Sequence, residues 1–311
     1  MAQVFLISID TEGDNIWNWT YGDRITSENS AYLSRFQKLC EKYRYKPTYL
    51  TNYEMAMDER FVSMAKDALK RGQCEIGMHL HAYNNPPFYQ LNVAHKDNFP
   101  YLIEYPIEVM EKKIEELTQL LNIQFGMRPR VHRAGRWALN DEYLGLLRKH
   151  GYTVDCSVTP GVNWSSTAGS SQGSAGSDYS HFPSKPYYIR EGLIEIPVSI
   201  VEIHQSFVKL NSLKNFARNV KHRFLGQKVW IRPNGSNINE ILAALKKRKS
   251  SEDEYIMFML HSSEMMPGGS PTFPDEQSIE KLYSDIDAIF RYTSDYCIGK
   301  TIGEYADGLV I

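Results

Sequence analysis

The sequence predicts an α/β protein in which helices cover a parallel sheet. Short apolar runs alternate with amphipathic stretches of helical spacing along the chain, the pattern of repeated strand–helix units. About seven such strands favour a barrel over an open sheet. No linker or internal repeat divides the 311 residues, which therefore read as a single domain. The residues able to do chemistry fall at the carboxyl ends of the apolar runs, where the active sites of barrels collect.

Residues 4–9 read as a buried strand, and 31–43 as a helix with Leu33, Phe36, Leu39, Cys40 and Tyr43 on one face. Strand 47–51 comes next, then helix 59–71, stopped by Gly72, and strand 75–79. Residues 106–121 give the clearest helix. Proline opens it, where a missing N–H costs nothing, and Ile107, Met110, Ile114, Leu117 and Leu121 share a face. Strand 130–133, helix 141–150 and strand 153–157 continue the alternation. Strand 194–200, a helix near 213–224, strand 228–231, helix 239–249, strand 255–261 and helix 275–292 complete it. Residues 163–180, rich in Ser and Gly and without apolar periodicity, read evenly as a flexible surface loop or a mobile lid.

Composition excludes several classes. A net charge of −2 gives no pull towards nucleic acid or an anionic membrane. Cys40, Cys74, Cys156 and Cys297 form no CxxC pair, so neither a zinc ribbon nor a disulfide framework is indicated. No run approaches about 18 apolar residues, so no membrane span is expected. Met1 leads almost directly into an apolar strand with no basic leader, which makes the cytoplasm the expected location.

Two segments carry the chemistry. Glu75-Ile76-Gly77-Met78-His79-Leu80-His81 and Ile7-Ser8-Ile9-Asp10-Thr11-Glu12 each end an apolar run with two potential ligands, two positions apart. Alternate side chains of a strand point to one face, about 6.5 Å apart, so His79 aims with His81 and Asp10 with Glu12. Two imidazoles and two carboxylates on neighbouring strands are a donor set for one divalent ion. A lone strand-end histidine is more often structural, but a His-x-His pair after a buried strand favours a site. Asp10 alone could cap a turn; with Glu12 and Asp14 beside it, mutual repulsion favours a cation. Arg133 and His261 also end apolar runs. His132, His204 and His95 have no partner pattern and read as structural, and Lys246-Lys247-Arg248-Lys249 reads as a solvated helix end.

The order of these motifs resembles the polysaccharide deacetylases, the NodB-homology or carbohydrate esterase family 4 group. Ser8-Ile9-Asp10-Thr11-Glu12-Gly13-Asp14 is similar to the first motif and Glu75-Ile76-Gly77-Met78-His79 to the second. His132-Arg133-Ala134-Gly135-Arg136-Trp137 is similar to the middle arginine motif, and Phe258-Met259-Leu260-His261 to the late histidine strand. The stretches His79-Leu80-His81-Ala82-Tyr83-Asn84-Asn85-Pro86-Pro87 and His261-Ser262-Ser263-Glu264-Met265-Met266-Pro267-Gly268-Gly269 look typical of the bacterial branch found with surface-polysaccharide and O-antigen assembly.

The resemblance, from residue 4 to about 305, implies a distorted (β/α) barrel spanning residues 1–311. It implies a metal-dependent hydrolase that removes an N-acetyl or related acyl group from an amino-sugar glycan, or from its nucleotide- or lipid-linked precursor. Carried over residue by residue, Asp10 is the general base, Glu12, His79 and His81 hold the metal, Arg133 orients the base and His261 is the general acid. The ion implied is zinc, with cobalt, nickel, manganese and iron as alternatives. Trp137, Tyr83, Trp164, Glu264 and Arg136 are the substrate-binding candidates, set against core packing, the commoner fate of any one aromatic, a helix cap for Glu264 and, evenly, a surface salt bridge for Arg136.

This chain departs from the family pattern twice. Thr11 separates Asp10 from Glu12 where the family has adjacent aspartates. His81 follows His79 more closely than the family's second histidine follows its first, which leaves Asn85 as an alternative occupant of that corner. Two other readings stand beside the hydrolase. An amidohydrolase-type enzyme also uses His-x-His, but on its first strand, where this chain carries acids. A non-catalytic glycan-binding or scaffold relative is the other. The sequence leaves the oligomeric state open.

Overall fold

The computed structural model describes residues 2–310 apart from 21–22, 93, 95–97, 206, 208–221 and 252–253. Its strands are β1 (Gln3–Thr11), β2 (Pro47–Thr51), β3 (Glu75–Leu80), β4 (Val131–Ala134), β5 (Val154–Asp155), β6 (Tyr187–Arg190), β7 (Leu193–Glu195), β8 (Ile200–Ile203), β9 (Gln227–Trp230), β10 (Tyr255–His261) and β11 (Cys297–Gly299). The main sheet runs in the order β10-β1-β2-β3-β4-β5-β7-β6, with β11 beside the start of β1. Its pairs are parallel except β6 with β7. The sheet curls into a half-barrel. Towards β10 the gap after β7 is crossed by single bonds: Met257 N donates to Ser199 Oγ (2.9 Å) and Met259 N to Ile231 O (3.2 Å). β8 and β9 form a separate antiparallel ribbon.

The period of two in the strands sorts side chains between two cores. Val4 and Leu6 of β1 join Leu50, Val131, Val154, Tyr255, Met257 and Met259 inside the curl. Phe5, Ile7 and Ile9, in the other phase, pack outward against the helices. The inward phase of β1 continues to Ser8 and Asp10, that of β3 to His79, that of β4 to Arg133 and that of β10 to His261. On β3 that phase passes through Gly77, where an added Cβ would lie 2.7 Å from Leu50 Cδ2 and 2.9 Å from Val131 O. Glycine lets the strands close up just before His79.

The outer layer holds α1 (Leu33–Lys42), α2 (Tyr53–Met57), α3 (Glu59–Lys70), α4 (Ile107–Phe125), α5 (Asp141–Lys149), α6 (Ile238–Lys249), α7 (Glu276–Ser294) and α8 (Ile302–Ala306). Side chains start several of them: Asp58 accepts from the N–H of Arg60 and Phe61, and Asn140 from that of Tyr143. α4 ends at Gly126, whose φ of 70° suits glycine. Its buried face carries Met110, Ile114, Leu117, Leu121 and Phe125, each worth about 1.5–3 kcal/mol when fully buried, but also Lys113. Among the described residues no helix is long and apolar enough to cross a membrane. All four cysteines are buried and unpaired.

The expected strand–helix alternation is present, with local differences. Residues 31–43 begin with a 3-10 turn, Glu28–Tyr32, before α1. The strand expected over 194–200 is divided: Pro197, with no N–H to donate, falls between β7 and β8, which belong to different sheets. The short elements α2, β6, β11 and α8 carry too little pattern to be seen in the sequence. Of the helix expected near 213–224, residues 213–221 lie outside the described residues and 222–225 are helical. The Ser/Gly stretch 163–180 is a tied-down hairpin: Trp164 N bonds to Ser177 O and Gly176 N to Thr167 O (3.0 Å each), while Ser170 N and Ser171 N donate to Glu104.

Candidate functional site

The carboxyl ends of β1, β3, β4 and β10 bring six side chains together. Glu12 Oε2 lies 2.9 Å from His81 Nε2 and 3.4 Å from His79 Nε2, and the two nitrogens are 3.0 Å apart. All three residues are buried, and among the described residues they form a group able to hold a metal ion. Asp10 Oδ2 is 4.0 Å from His79 Nε2 and 3.8 Å from His261 Nε2, which lies 3.7 Å from Glu12 Oε1. Arg133, fully buried, donates from Nη1 to Asp10 Oδ1 (2.6 Å), from Nη2 to Ser8 Oγ (3.0 Å) and from Nε to Cys156 O (3.0 Å).

This donor set fits a divalent ion. A tetrahedral zinc site with bonds of about 2.0–2.2 Å separates its ligand atoms by about 3.3–3.6 Å, and the Glu12–His79–His81 triangle is only slightly tighter. Its orientation is set from behind. A carbonyl can only accept, so His79 Nδ1 carries the proton donated to Arg133 O (3.0 Å), leaving the Nε2 lone pair facing Glu12 and His81. The Glu12 backbone is pinned at both ends: its N–H donates to Ser262 Oγ, and its carbonyl accepts from Ser262 Oγ and Asn29 Nδ2. At Gly135 an added Cβ would lie 3.0 Å from His81 Nδ1, so the chain passes close against that ring.

Burial and neighbouring charge act in opposite directions here. Burial alone would raise the Asp10 carboxyl, but Arg133, with His79 and His261, outweighs it and holds the pKa below the usual range. Burial likewise opposes ionisation of Glu12, and His261, His79 and His81 overcome it. The imidazoles are driven apart: burial lowers both, yet Asp10 and Glu12 raise His79 above its ordinary value, while His81 stays below. Two anions, two convergent imidazoles and a fixed guanidinium can bind a cation and exchange a proton through Asp10.

Beside this centre, His261 rests on a charged pair. Glu264 Oε2 accepts from His261 N (2.9 Å) and lies 3.2 Å from Nδ1, while Arg232 Nη2 reaches both His261 Nδ1 (3.0 Å) and Glu264 Oε1 (2.9 Å). Burial opposes ionisation of Glu264, but His261 and Arg232 hold its pKa at about 2. Trp17 meets His261 edge-on (5.3 Å) and donates from Nε1 to Ser263 Oγ. A cavity of about 580 Å³ adjoins the pair, lined by Trp137, Trp164, Trp230, Asn237, Arg232 and Glu264 among others. Trp137 also lies under the Arg133 guanidinium, 5.1 Å from ring centroid to Cζ. A larger hollow of about 980 Å³ is lined by Trp19, Glu54, Tyr83, Phe88 and Leu91 among others, and none of the six convergent residues lines either cavity. The smaller cavity borders the centre through Arg232 and Glu264, which hold His261, and the larger one through Tyr83, which packs on His81.

The remaining sequence candidates lie around this centre. Tyr83 tilts against the His81 ring (5.2 Å) and stacks on Trp19. Trp164 donates to Thr159 Oγ1 at the cavity wall. Arg136 bonds to Phe99 O and Ala168 O and stacks on Tyr101 (3.9 Å), bracing the Ser/Gly hairpin. Both Arg136 and Trp137 sit at positive φ, 56° and 62°, a strained pair of non-glycine residues beside the cavity. Asn85 donates from Nδ2 to Pro86 O and Lys113 O, while its buried Oδ1 meets no hydrogen-bond partner among the described residues. Both carboxylate oxygens of Asp14 are engaged outside the triangle, accepting from Thr26 Oγ1 and Asn29 N. His132 is buried between Asp155 (2.6 Å) and Tyr143 (2.7 Å); His204 pairs with Glu202; His95 lies outside the described residues.

Arg232, Trp230, Trp17 and Ser8 were missed from sequence. Ser8 was findable, since it shares the phase of Asp10. Arg232 carried a fainter signal, an arginine just past the strand-like run 228–231. Trp17 sits in a loop with no pattern.

No family model and no curated protein matches the sequence. Solved structures share its fold. A Mycobacterium smegmatis protein described as a candidate polysaccharide deacetylase matches at 14% identity and TM-score 0.54, over 99% of this chain and 90% of the other. A GH57 branching enzyme from Thermococcus kodakaraensis matches at 10% identity and TM-score 0.58, over 100% and 72%. The 4-α-glucanotransferase of Thermococcus litoralis matches at 15% and 0.55, over 100% of this chain but 41% of that one. At these identities the likeness is one of fold alone, so what separates deacetylation from glucan processing has to be read from the side chains.

Proposed function

We propose that the protein is a divalent-metal-dependent hydrolase that removes an N-acetyl or related acyl group from an amino sugar in a glycan or its nucleotide- or lipid-linked precursor, within surface-polysaccharide synthesis. The observation that carries this is the Glu12–His79–His81 triangle with Asp10 and His261 within 4.0 Å of it. Glu12, His79 and His81 would hold the ion, zinc first among the alternatives. A divalent ion there supplies Lewis acidity, polarising a carbonyl and acidifying water. Asp10, kept ionised and aimed by Arg133, accepts the water proton. His261 donates from Nε2 to the departing nitrogen, with Glu264 and Arg232 holding its far side. The tryptophan-lined cavity supports sugar rings beside the reacting amide.

The glucan-processing reading fits the residues less well. Glycoside hydrolysis needs two carboxyls on opposite sides of a sugar, whereas Asp10 is engaged by Arg133 and Glu12 by two imidazoles. Acetate release from N-acetylated oligosaccharides, measured with zinc or cobalt present, tests the proposal. Asp10→Asn should lower the rate by about 10²–10⁴-fold, the usual contribution of a general base. Glycan binding without turnover under any metal would instead identify a non-catalytic relative.

A further inference from the structure

The most unusual charge outside the reacting centre is Lys113. It sits on the buried face of α4 at 1% exposure, and its ammonium is met by no carboxylate among its hydrogen bonds. Instead Nζ donates to three backbone carbonyls of one loop: Ala82 O (2.8 Å), Asn85 O (2.5 Å) and Pro87 O (2.8 Å). The Tyr105 ring lies 5.1 Å from Nζ. The tie runs both ways, since Asn85 Nδ2 donates back to Lys113 O (2.9 Å). Carbonyls gathered around one point are a cation site, and a buried lysine is tolerated where such acceptors replace its water.

The loop it grips is the continuation of β3. Ala82 directly follows His81, and Tyr83 packs its ring on His81 at 5.2 Å. The next residue, Asn84, donates from Nδ2 to Glu54 Oε2 (2.6 Å), and Glu54 Oε1 accepts from Gly13 N (2.8 Å), next to Glu12. The chain leaving one ligand is thus anchored to the chain leaving another. With Gly135 close on its other side, the His81 ring has few other ways to be placed.

We infer that Lys113 is a positioning residue whose ammonium acts as a built-in cation, drawing the carbonyls of residues 82, 85 and 87 together and thereby setting His81 in the metal corner. Burial pushes the Lys113 pKa down to about 8, and three carbonyl acceptors favour the ammonium form. The inference rests on the Glu12–His79–His81 reading for its metal consequence, but not for its effect on His81 itself.

The test uses the full chain with Lys113→Ala, read by the His81 imidazole NMR resonances and by Co²⁺ affinity from visible absorption. The expected result is a displaced His81 signal and Co²⁺ binding weakened about 10–100-fold, the usual cost of losing a group that supports a ligand. Propylammonium chloride, which fits the vacated stem and ammonium space, should restore both; 1-propanol should restore neither. Thr118→Val, on the same helix face, removes bonds to Ile114 O and Tyr152 but touches none of the three carbonyls, and should leave both readouts unchanged. Unshifted His81 signals, or a loss that propanol repairs as well as propylammonium, would overturn the inference. If Lys113→Ala folds only with propylammonium present, the inference is supported; if it stays unfolded even then, it is overturned. A parent protein that binds no Co²⁺ would count against the metal reading, while the His81 signals still decide the role of Lys113.

Discussion

Replacing Arg133 by Met tests whether the centre is held by charge compensation. Arg133 is 0% exposed and Asp10 2%, so solvent takes over little when the guanidinium is lost. The change removes the 2.6 Å bond to Asp10 and leaves Ser8 Oγ and Cys156 O without their donor. Breaking a buried ion pair from one side costs about 3–5 kcal/mol, because the remaining charge is stranded. For a chain of this size that corresponds to a melting temperature lower by about 5–8 °C. Asp10→Asn alone strands the guanidinium instead, whereas the double variant strands neither, so the two costs should overlap by at least about 2 kcal/mol. Arg133 holds the Asp10 pKa down in the folded protein. A depressed folded pKa gives stability that is present above the unfolded value and lost as pH falls through the folded one. The deficit of Arg133→Met should therefore be largest above about pH 4 and shrink on acidification. Urea unfolding followed by tryptophan fluorescence, with metal chelated, measures all of this. A deficit under about 1 kcal/mol at pH 7, or costs that simply add in the double variant, would refute the reasoning.

Other substitutions test neighbouring parts. Glu54 has its pKa raised to about 7, chiefly by burial, so its contribution to stability is present below about pH 4.5 and lost as pH rises through 7. Glu54→Gln should thus gain about 1–3 kcal/mol over the parent at pH 8 and almost nothing at pH 4 in thermal melts, with Asn84 turning its unpartnered Oδ1 to accept the new N–H. Glu264 is the opposite case, held at about 2. Glu264→Gln should cost about 1–3 kcal/mol at pH 7, a deficit that fades as pH falls from 4.5 towards 2; a deficit independent of pH would contradict the ion-pair account. Trp137→Ala should raise KM for an oligosaccharide about ten-fold with kcat nearly unchanged, as expected when ground-state and transition-state binding fall together; an unchanged KM would place the sugar elsewhere.

Where the sequence was legible, the reason is periodicity. Val4, Leu6, Ser8 and Asp10 keep one phase through β1, and Tyr255, Met257, Met259 and His261 do the same in β10, so the apolar runs announced the strands and their polar ends, while which face meets the curl needed the fold. The same rule aligned His79 with His81. Legibility failed where contacts are made by long-range closure rather than by local pattern. Nothing near Arg232 announces that β9 ends beside His261, and Arg136 differs from Arg133 only in which way a strained turn aims it. Asn85, the sequence's alternative for the metal corner, ties its Nδ2 to Lys113 O, a contact no local pattern announces. Pro197 was visible, but the switch of sheet it accompanies depends on partners distant in sequence.

Metal content is the most direct measurement of the central claim. Full-length protein prepared without added ions should contain about one equivalent of a divalent transition metal, or bind one Co²⁺ with the absorption of a four-coordinate site carrying two imidazoles. His79→Ala, His81→Ala and Glu12→Gln should each abolish that binding, while Asn85→Ala should not. A parent that binds no such ion, or a stoichiometry that survives loss of both histidines, would contradict the account.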